Sequence, residues 1–231
     1  MCRVCIPVGP PQTRAVASAS KVWKDRNVLR VAFLEGDDSL HNLVMNIASM
    51  ISHYCDMRFE KVPKGSKSEV RISFQNSGSW SYVGTDNLLI LDDQPTMNYG
   101  WLSSDMDSNS PTATSVVLHE FGHAVGLQHE QGHPHQNIPW DFNKVFRWFE
   151  EKYGWTEDQV RQTYMNRMSI EESNFNAYDR ASIMHYPIDN EWTIGDWEIP
   201  WITQLSSSDK EFLHSLYPFN NNVYLPSVKN G

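Results

Sequence analysis

One stretch constrains this chain more than any other: His119-Glu120-Phe121-Gly122-His123-Ala124-Val125-Gly126-Leu127-Gln128-His129-Glu130. Residues four apart on a helix share a face, so His119 and His123 present two imidazoles to one point. Glu120 follows the first of them, placed to take a proton from a water activated by a metal held there. Gly126 can adopt the left-handed conformation that ends a helix and lets the chain reverse. His129 then returns as a third ligand. Three nitrogen ligands with one open position describe a catalytic zinc site rather than a closed structural one. Histidines falling by chance on an amphipathic helix would not add a glycine and a third imidazole at these offsets. The sequence therefore predicts one Zn2+ per chain.

The 231 residues suit one domain, divided at most by a cleft, and 40% hydrophobic residues are enough for a sizeable core. The net charge of −9 argues against nucleic acid or an anionic membrane as a main partner. No apolar run is long enough to span a bilayer. The stretch from Met1 to Pro11 has no apolar core of the kind a signal peptide carries. The chain as given reads either as a processed or trimmed form of a secreted protein or as a cytoplasmic one. Its three cysteines, Cys2, Cys5 and Cys55, are too few for a disulfide framework. Cys2 and Cys5 lack the second pair that a zinc ribbon needs.

Residues 1–20 read as a tail or pro-segment remnant, 21–218 as the catalytic domain and 219–231 as a C-terminal tail. Val28 to Leu34 reads as a strand. Apolar residues at Leu40, Leu43, Val44, Ile47, Met50, Ile51 and Tyr54 fall at helical steps, with a cap in the turn Gly36-Asp37-Asp38-Ser39. His41 and His53 read as surface or boundary residues of that helix. Phe59 with Val62, Glu69 to Phe74, Leu88 to Leu91 and Thr96 to Leu102 are strand candidates, the second of them half-buried. Gly78 to Gly84 is an aromatic segment bounded by glycines, read as a turn with core anchors. Asp105 to Asn109 lacks the glycine and the final glutamate of a calcium loop and reads as solvated. Thr112 or Thr114 is expected to cap the zinc helix. His133 and His135 read as a loop bordering the cleft. Asp141, Thr156 and Ser208 each open a helix, the second running to about Met168.

A second motif completes the first. Tyr178-Asp179-Arg180-Ala181-Ser182-Ile183-Met184-His185-Tyr186-Pro187 would, alone, be a turn with packed aromatics. Downstream of the histidine motif it resembles the Met-turn of the metzincins. Ser182-Ile183-Met184-His185-Tyr186 more narrowly resembles the astacin family, as do Glu130 after the third histidine, Gly78 to Gly84, and the closing helix into Leu216-Tyr217. The resemblance runs from about Lys21 to Pro218. It implies an α+β, zincin-like metzincin fold: a twisted mixed sheet with two long helices above a cleft, and a lower half mainly of helix and loop.

The same resemblance implies roles. His119, His123 and His129 would be zinc ligands and Glu120 the general base, then general acid. Met184 would form the apolar floor of the site. Tyr186 would be an additional ligand that swings away during turnover and then supports catalysis. The activity implied is a zinc endopeptidase acting on peptide or protein substrates. The alternative, a catalytically silent zinc-binding interaction module, predicts loss of Glu120 or Tyr186, and both are present. An extended substrate is expected to pair with a sheet edge at Thr96 to Leu102.

The chain departs from the family pattern in lacking partners for the usual two disulfides. Cys55 falls near one expected cysteine, and Ser79 stands where another would be. This marks a divergent branch without disulfides. Astacins also bury a trimmed N-terminus against the glutamate after the third histidine, the position of Glu130. Cys2 and Cys5 offer thiolates able to cap a zinc ion, so they serve either as a latency switch or not at all. If they are a switch, replacing both with serine raises basal peptidase activity; unchanged activity would eliminate it.

Overall fold

The computed structural model describes residues 17–18, 20–75, 78–107, 109–169, 173–174 and 176–219. In chain order the elements are β1 (Ala17–Ser18), β2 (Val28–Phe33), α1 (Asp38–Ala48), β3 (Arg58–Val62), β4 (Val70–Ser73), β5 (Ser79–Ser81) and β6 (Met97–Tyr99). Then follow α2 (Pro111–Ala124), α3 (Phe142–Tyr153), α4 (Glu157–Val160), β7 (Ser173–Asn174) and α5 (Ser207–Leu216). Cys2, Cys5, most of the tail expected at 1–20 and nearly all of 219–231 lie outside the described residues. Ala17–Ser18 pairs antiparallel with Ser173–Asn174.

Five strands form one sheet in the order β3-β2-β4-β6-β5. The first four are parallel, and β5 runs antiparallel to β6. Parallel neighbours need a crossover, and α1 supplies it between β2 and β3. Leu40, Leu43, Val44 and Ile47 line its inner face and join Leu29, Val31, Val70, Ile72, Met97 and Tyr99 in one core. Helix α2 enters the same core through Ala113, Val116, Val117 and Phe121. A second core holds the lower half together and is mostly aromatic, with Trp140, Phe149, Tyr164, Tyr186 and Trp192 among its members. No helix among the described residues is long and apolar enough to cross a membrane.

Several expectations change in structural terms. β4 is buried on both faces because it sits mid-sheet, so Glu69 to Phe74 is not half-buried. Its Arg71 is paired by backbone carbonyls, donating to Gln94, Ser68 and Ile90 at 2.7, 2.9 and 3.1 Å. Leu88 to Leu91 is not a strand. A 3-10 helix covers Gly84–Leu89, and Leu88, Leu89 and Leu91 are exposed. An apolar run alone does not distinguish a strand from a solvent-facing turn. α1 ends at Ala48, and the apolar spacing continues through a separate 3-10 turn at Ile51–His53. Ser110, with Pro111 at the first helical position, caps α2 in place of Thr112 or Thr114. The last helix is capped by Ser206 with Asp209, two residues earlier than Ser208 with Glu211. α4 passes into a π-turn that stops at Met165.

Thr96 to Leu102 is not the sheet edge: β6 lies between β4 and β5, so β5 is the edge strand on that side. Only an edge strand has unpaired backbone groups to offer another chain.

The start of the sheet is held by a charged group inside the protein. Glu69 is only 2% exposed and accepts from Arg26 at 2.8 Å, from Arg30 Nε at 3.1 Å and from the Arg30 backbone at 2.8 Å. Burial alone would raise this carboxyl, but the Arg30 hydrogen bonds and the charges of Arg30 and Arg26 outweigh it and hold it below 4.5. Its contribution is therefore present above the unfolded-state value and is lost as pH falls through the folded-state value. Glu69→Gln should cost about 2 kcal/mol in urea unfolding at pH 7. The gap between variant and wild type should narrow in acid; a gap unchanged in acid would contradict this account.

Candidate active site

The last turns of α2 carry the site, and every residue from Ser115 to Ala124 is buried. Gly126 has φ +98° and ends the helix. Gly126 N–H donates to His123 O and Leu127 N–H to Gly122 O, both at 2.8 Å. This is the paired bonding of a Schellman end, and only glycine adopts its left-handed position without strain. The chain then turns back, and His129 comes to face the helix.

The nitrogen atoms of His119, His123 and His129 that could hold a metal lie within 4.8 Å of one another. His119 Nδ1 meets Ile183 O at 2.8 Å, and His123 Nδ1 meets Leu127 O at 2.9 Å. A carbonyl only accepts, so each Nδ1 carries the hydrogen and each Nε2 keeps a free lone pair. His123 Nε2 and His129 Nε2 stand 3.0 Å apart. At that separation the two Nε2 atoms face one point, where a single ion would be held by both. Burial lowers His119 to about 4; burial, then the neighbouring His119, lowers His123 to about 3. Burial, then His123 and His119, puts His129 well below its ordinary value. The rings are thus uncharged at neutral pH, the form that binds metal. Neutral imidazoles, two of them with tautomers fixed by backbone carbonyls, fit zinc, which takes nitrogen ligands in this number when one position is left open.

Glu120 is 5% exposed beside these rings, and burial pushes its carboxyl up to about 8. A nearby dication would favour the carboxylate again. Met184 lies directly under α2. A Cβ built on Gly122 would stand 2.5 Å from Met184 Sδ, so the thioether occupies the space that a side chain there would fill. The Tyr186 ring centroid is 4.2 Å from that of His129 and 5.7 Å from that of His119. The structure thus brings His119, Glu120, His123, His129, Met184 and Tyr186 to one place. His133 is elsewhere: it is 1% exposed, with Nε2 bonded to Asn176 O and Nδ1 accepting from His135 N–H.

Residues that pattern reading missed hold the Met-turn. Asp209 accepts from Ser182 Oγ, Ile183 N–H and Ser206 N–H at 2.7, 2.8 and 2.9 Å. The capping box of α5 therefore also fixes the turn beneath the histidines. Glu130 N–H donates to Met184 O, and Glu130 Oε1 accepts from Asp179 N–H. Burial, with Asp209 and Asp179 nearby, pushes the Glu130 carboxyl up to about 8. The Tyr186 backbone is held on both sides, its N–H by Gln131 Oε1 at 3.2 Å and its carbonyl by His185 Nδ1 at 2.7 Å. Tyr178 O–H donates to His185 Nε2 at 2.8 Å and fixes that tautomer. The one available signal was the capping-box spacing of Ser206 with Asp209; nothing in the local sequence marks Gln131. Cys55 is buried and free, its thiol pushed up to about 11 by burial.

The sequence profile of Astacin, a peptidase family, matches residues 15–197. The solved structure of myroilysin is similar at 33% identity, covering 89% of this chain and 99% of that one, with a TM-score of 0.83. A second myroilysin structure matches at 32% identity and a TM-score of 0.64, covering 88% of each chain. High choriolytic enzyme 1, a hatching enzyme zinc-protease from Oryzias latipes (medaka fish), shares the fold at 18% identity. Its TM-score is 0.58, over 88% of this chain and 98% of that one. No curated protein sequence matches the chain.

The contact between Gly122 and Met184 is open to a direct test. Gly122→Ala puts a methyl group where the sulfur lies and should cost about 1–3 kcal/mol by overpacking. Unfolding midpoints check the cost, and equilibrium dialysis checks for weaker zinc retention. Full stability with unchanged zinc binding would show that the Met-turn yields freely.

Proposed function

The chain belongs to the astacin peptidase family and is a zinc metalloendopeptidase; from that premise we propose that Glu120 is its proton carrier and Tyr186 its mobile hydrogen-bond donor. The observation that carries the proposal is the convergence of three neutral imidazoles beside a buried carboxyl. His119, His123 and His129 would hold the ion. When bound, zinc supplies Lewis acidity and a water whose pKa is lowered to about 7.

Glu120 takes one proton from the attacking water as its oxygen joins the scissile carbonyl carbon. It hands that proton to the leaving nitrogen as the C–N bond breaks, so the carboxylate is regenerated. A glutamate suits the task because its charge is favoured beside a cation and its neutral form is favoured by burial. The Tyr186 hydroxyl donates a hydrogen bond to the carbonyl oxygen as that atom gains charge. At rest Tyr186 would be a further ligand. Met184 keeps the floor of the site apolar. Support for Tyr186 comes from its ring, packed against His129 and His119, and from the two hydrogen bonds that fix its backbone without involving its side chain.

A peptide substrate would lie extended and pair with the free edge of β5, which packs against α2. Glu130 sits among carboxyl groups in a recess of the lower half, lined also by Met184 and Phe212. That surrounding is suited to a positively charged group, as the family's buried N-terminus would be.

The wild type should bind zinc and cleave peptides, with chelation abolishing cleavage and added zinc restoring it. Glu120→Ala should keep its zinc and lose at least roughly 10²–10⁴ in kcat. Tyr186→Phe should lose about 10²–10³ in kcat with little change in KM. Zinc bound by a wild type that cleaves nothing would instead favour the silent binding module. Undiminished cleavage by Glu120→Ala would defeat the proton-carrier role.

A further inference from the structure

The loop between β5 and β6 sets three leucines in water: Leu88, Leu89 and Leu91 are 52%, 79% and 72% exposed. The loop that carries them is tied from inside. Asn87 is fully buried and donates to Tyr82 O at 3.1 Å and to Gly84 O at 2.8 Å. The buried Arg71 guanidinium donates to the Ile90 and Gln94 carbonyls. Thr85 N–H donates to Lys21 O at 2.9 Å, and Lys21 pairs with Asp86. Buried polar groups thus fix the backbone around leucines that stay exposed. Clustered apolar side chains on a fixed backbone mark a binding surface, because little conformational entropy is lost when a partner covers them.

We propose that this tip docks protein substrates outside the metal site, and that its occupant is a polypeptide segment of mixed apolar and basic residues. Charge selects the partner. Asp92 and Asp93 follow the leucines, both are exposed, and neither forms a salt bridge among the described residues. Arg71 lies within the field of both, but its N–H groups are held by the Ser68, Ile90 and Gln94 carbonyls. Asp86, before the leucines, already has Lys21. A lysine or arginine in the docked segment would therefore meet two carboxylates with no cation of their own. A second copy meeting the same tip would set these aspartates against their own kind, and an anionic lipid surface would be repelled as well. Position supplies the rest. β5 leads into the loop through Tyr82 and Val83, so a strand paired on the free edge of β5 has one end there. A substrate long enough to continue from that end reaches the tip. This continuity rests on the reading of β5 as the substrate edge.

The test uses the zinc-loaded full chain and a core peptide that it cleaves, chosen from a random library by mass spectrometry. The core is extended at one end or the other, through a flexible Gly-Ser linker, with Lys-Leu-Lys-Leu, Glu-Leu-Glu-Leu or Lys-Ser-Lys-Ser. The Lys-Leu extension at one end should lower KM by at least about tenfold with kcat unchanged, and the other two extensions should do much less. A variant carrying Leu88→Ser, Leu89→Ser and Leu91→Ser should lose that gain and cleave the bare core at the wild-type rate. Should it not fold, Leu89→Ser alone carries the test, with a smaller loss. Asp92→Asn with Asp93→Asn should narrow the gap between the Lys-Leu and Glu-Leu extensions. No gain in the wild type at either end, an equal gain in the folded serine variant, or a preference for the acidic extension would each overturn the inference. So would a patch whose loss only turns a sedimenting dimer into a monomer, or only ends binding to phosphatidylcholine vesicles. N-methylation of backbone amides in the core tests the pairing on β5 separately: it slows both enzymes alike if that reading holds, whatever the extensions do.

Discussion

The C-terminal end of α2 is the constraint on which the rest of this structure depends. A helix ends with carbonyls that lack partners, and a buried end must find them. Here Gly122 and His123 are served by the N–H groups of Leu127 and Gly126. The Ala124 carbonyl accepts from the Trp23 indole at 2.8 Å, and the Val125 carbonyl from the Tyr217 hydroxyl at 2.6 Å. The partners come from the reversal itself, from the segment before β2 and from the end of α5. The same reversal carries His129 back to His123. Capping the helix and assembling the three imidazoles are therefore one structural event, and the entry and exit segments of the domain are tied to it.

The Met-turn does comparable work between the two cores. Ile183 and Met184 belong to the core under the sheet, and Tyr186 to the aromatic core below. Two residues along, the chain crosses from one to the other. Such a crossing leaves backbone groups in need of partners, and Asp209, Gln131, His185 and Glu130 provide them. Asp209 is buried as a carboxyl because it serves three donors at once, two of them in the turn. Burial still raises it, and the hydrogen bonds from Ser182, Ile183 and Ser206 act in the opposite sense.

The metal-binding half of the site was legible because its geometry is local. Helical periodicity relates His119 to His123, and one glycine accounts for His129. The mixed sheet and the helices on it also followed from periodicity and from the resemblance at the two motifs. Sheet order did not follow, because β6 and β5 exchange positions through a turn whose apolar Leu88 and Leu89 imitate a strand. Nor did the support of the Met-turn. Asp209 lies 27 residues from Ser182 and Gln131 lies 55 from Tyr186, and such pairings arise only when the cores pack. The capping box at the last helix was misplaced because Ser206 and Ser208 offer the same spacing. Tertiary demand decided between them: only the earlier register turns Asp209 inward toward Ser182.

The two roles proposed for Tyr186 would require a side chain that turns on a backbone that does not. Its backbone N–H and carbonyl are both bonded to side chains, and one of those side chains is itself locked by Tyr178. Movement of the residue as a whole would break both bonds in a buried setting, where an unpaired polar group costs about 1–3 kcal/mol. Rotation about the side-chain bonds breaks neither. The ring is bordered by His129 on one side and by Tyr164 at 5.6 Å on the other, in edge contact rather than stacked. In the proposed mechanism such a rotation would bring the hydroxyl to a carbonyl oxygen without disturbing the turn beneath it. A hydrogen-bond donor on a fixed pivot is the arrangement that preorganised catalysis asks for, since little has to be reorganised when charge develops.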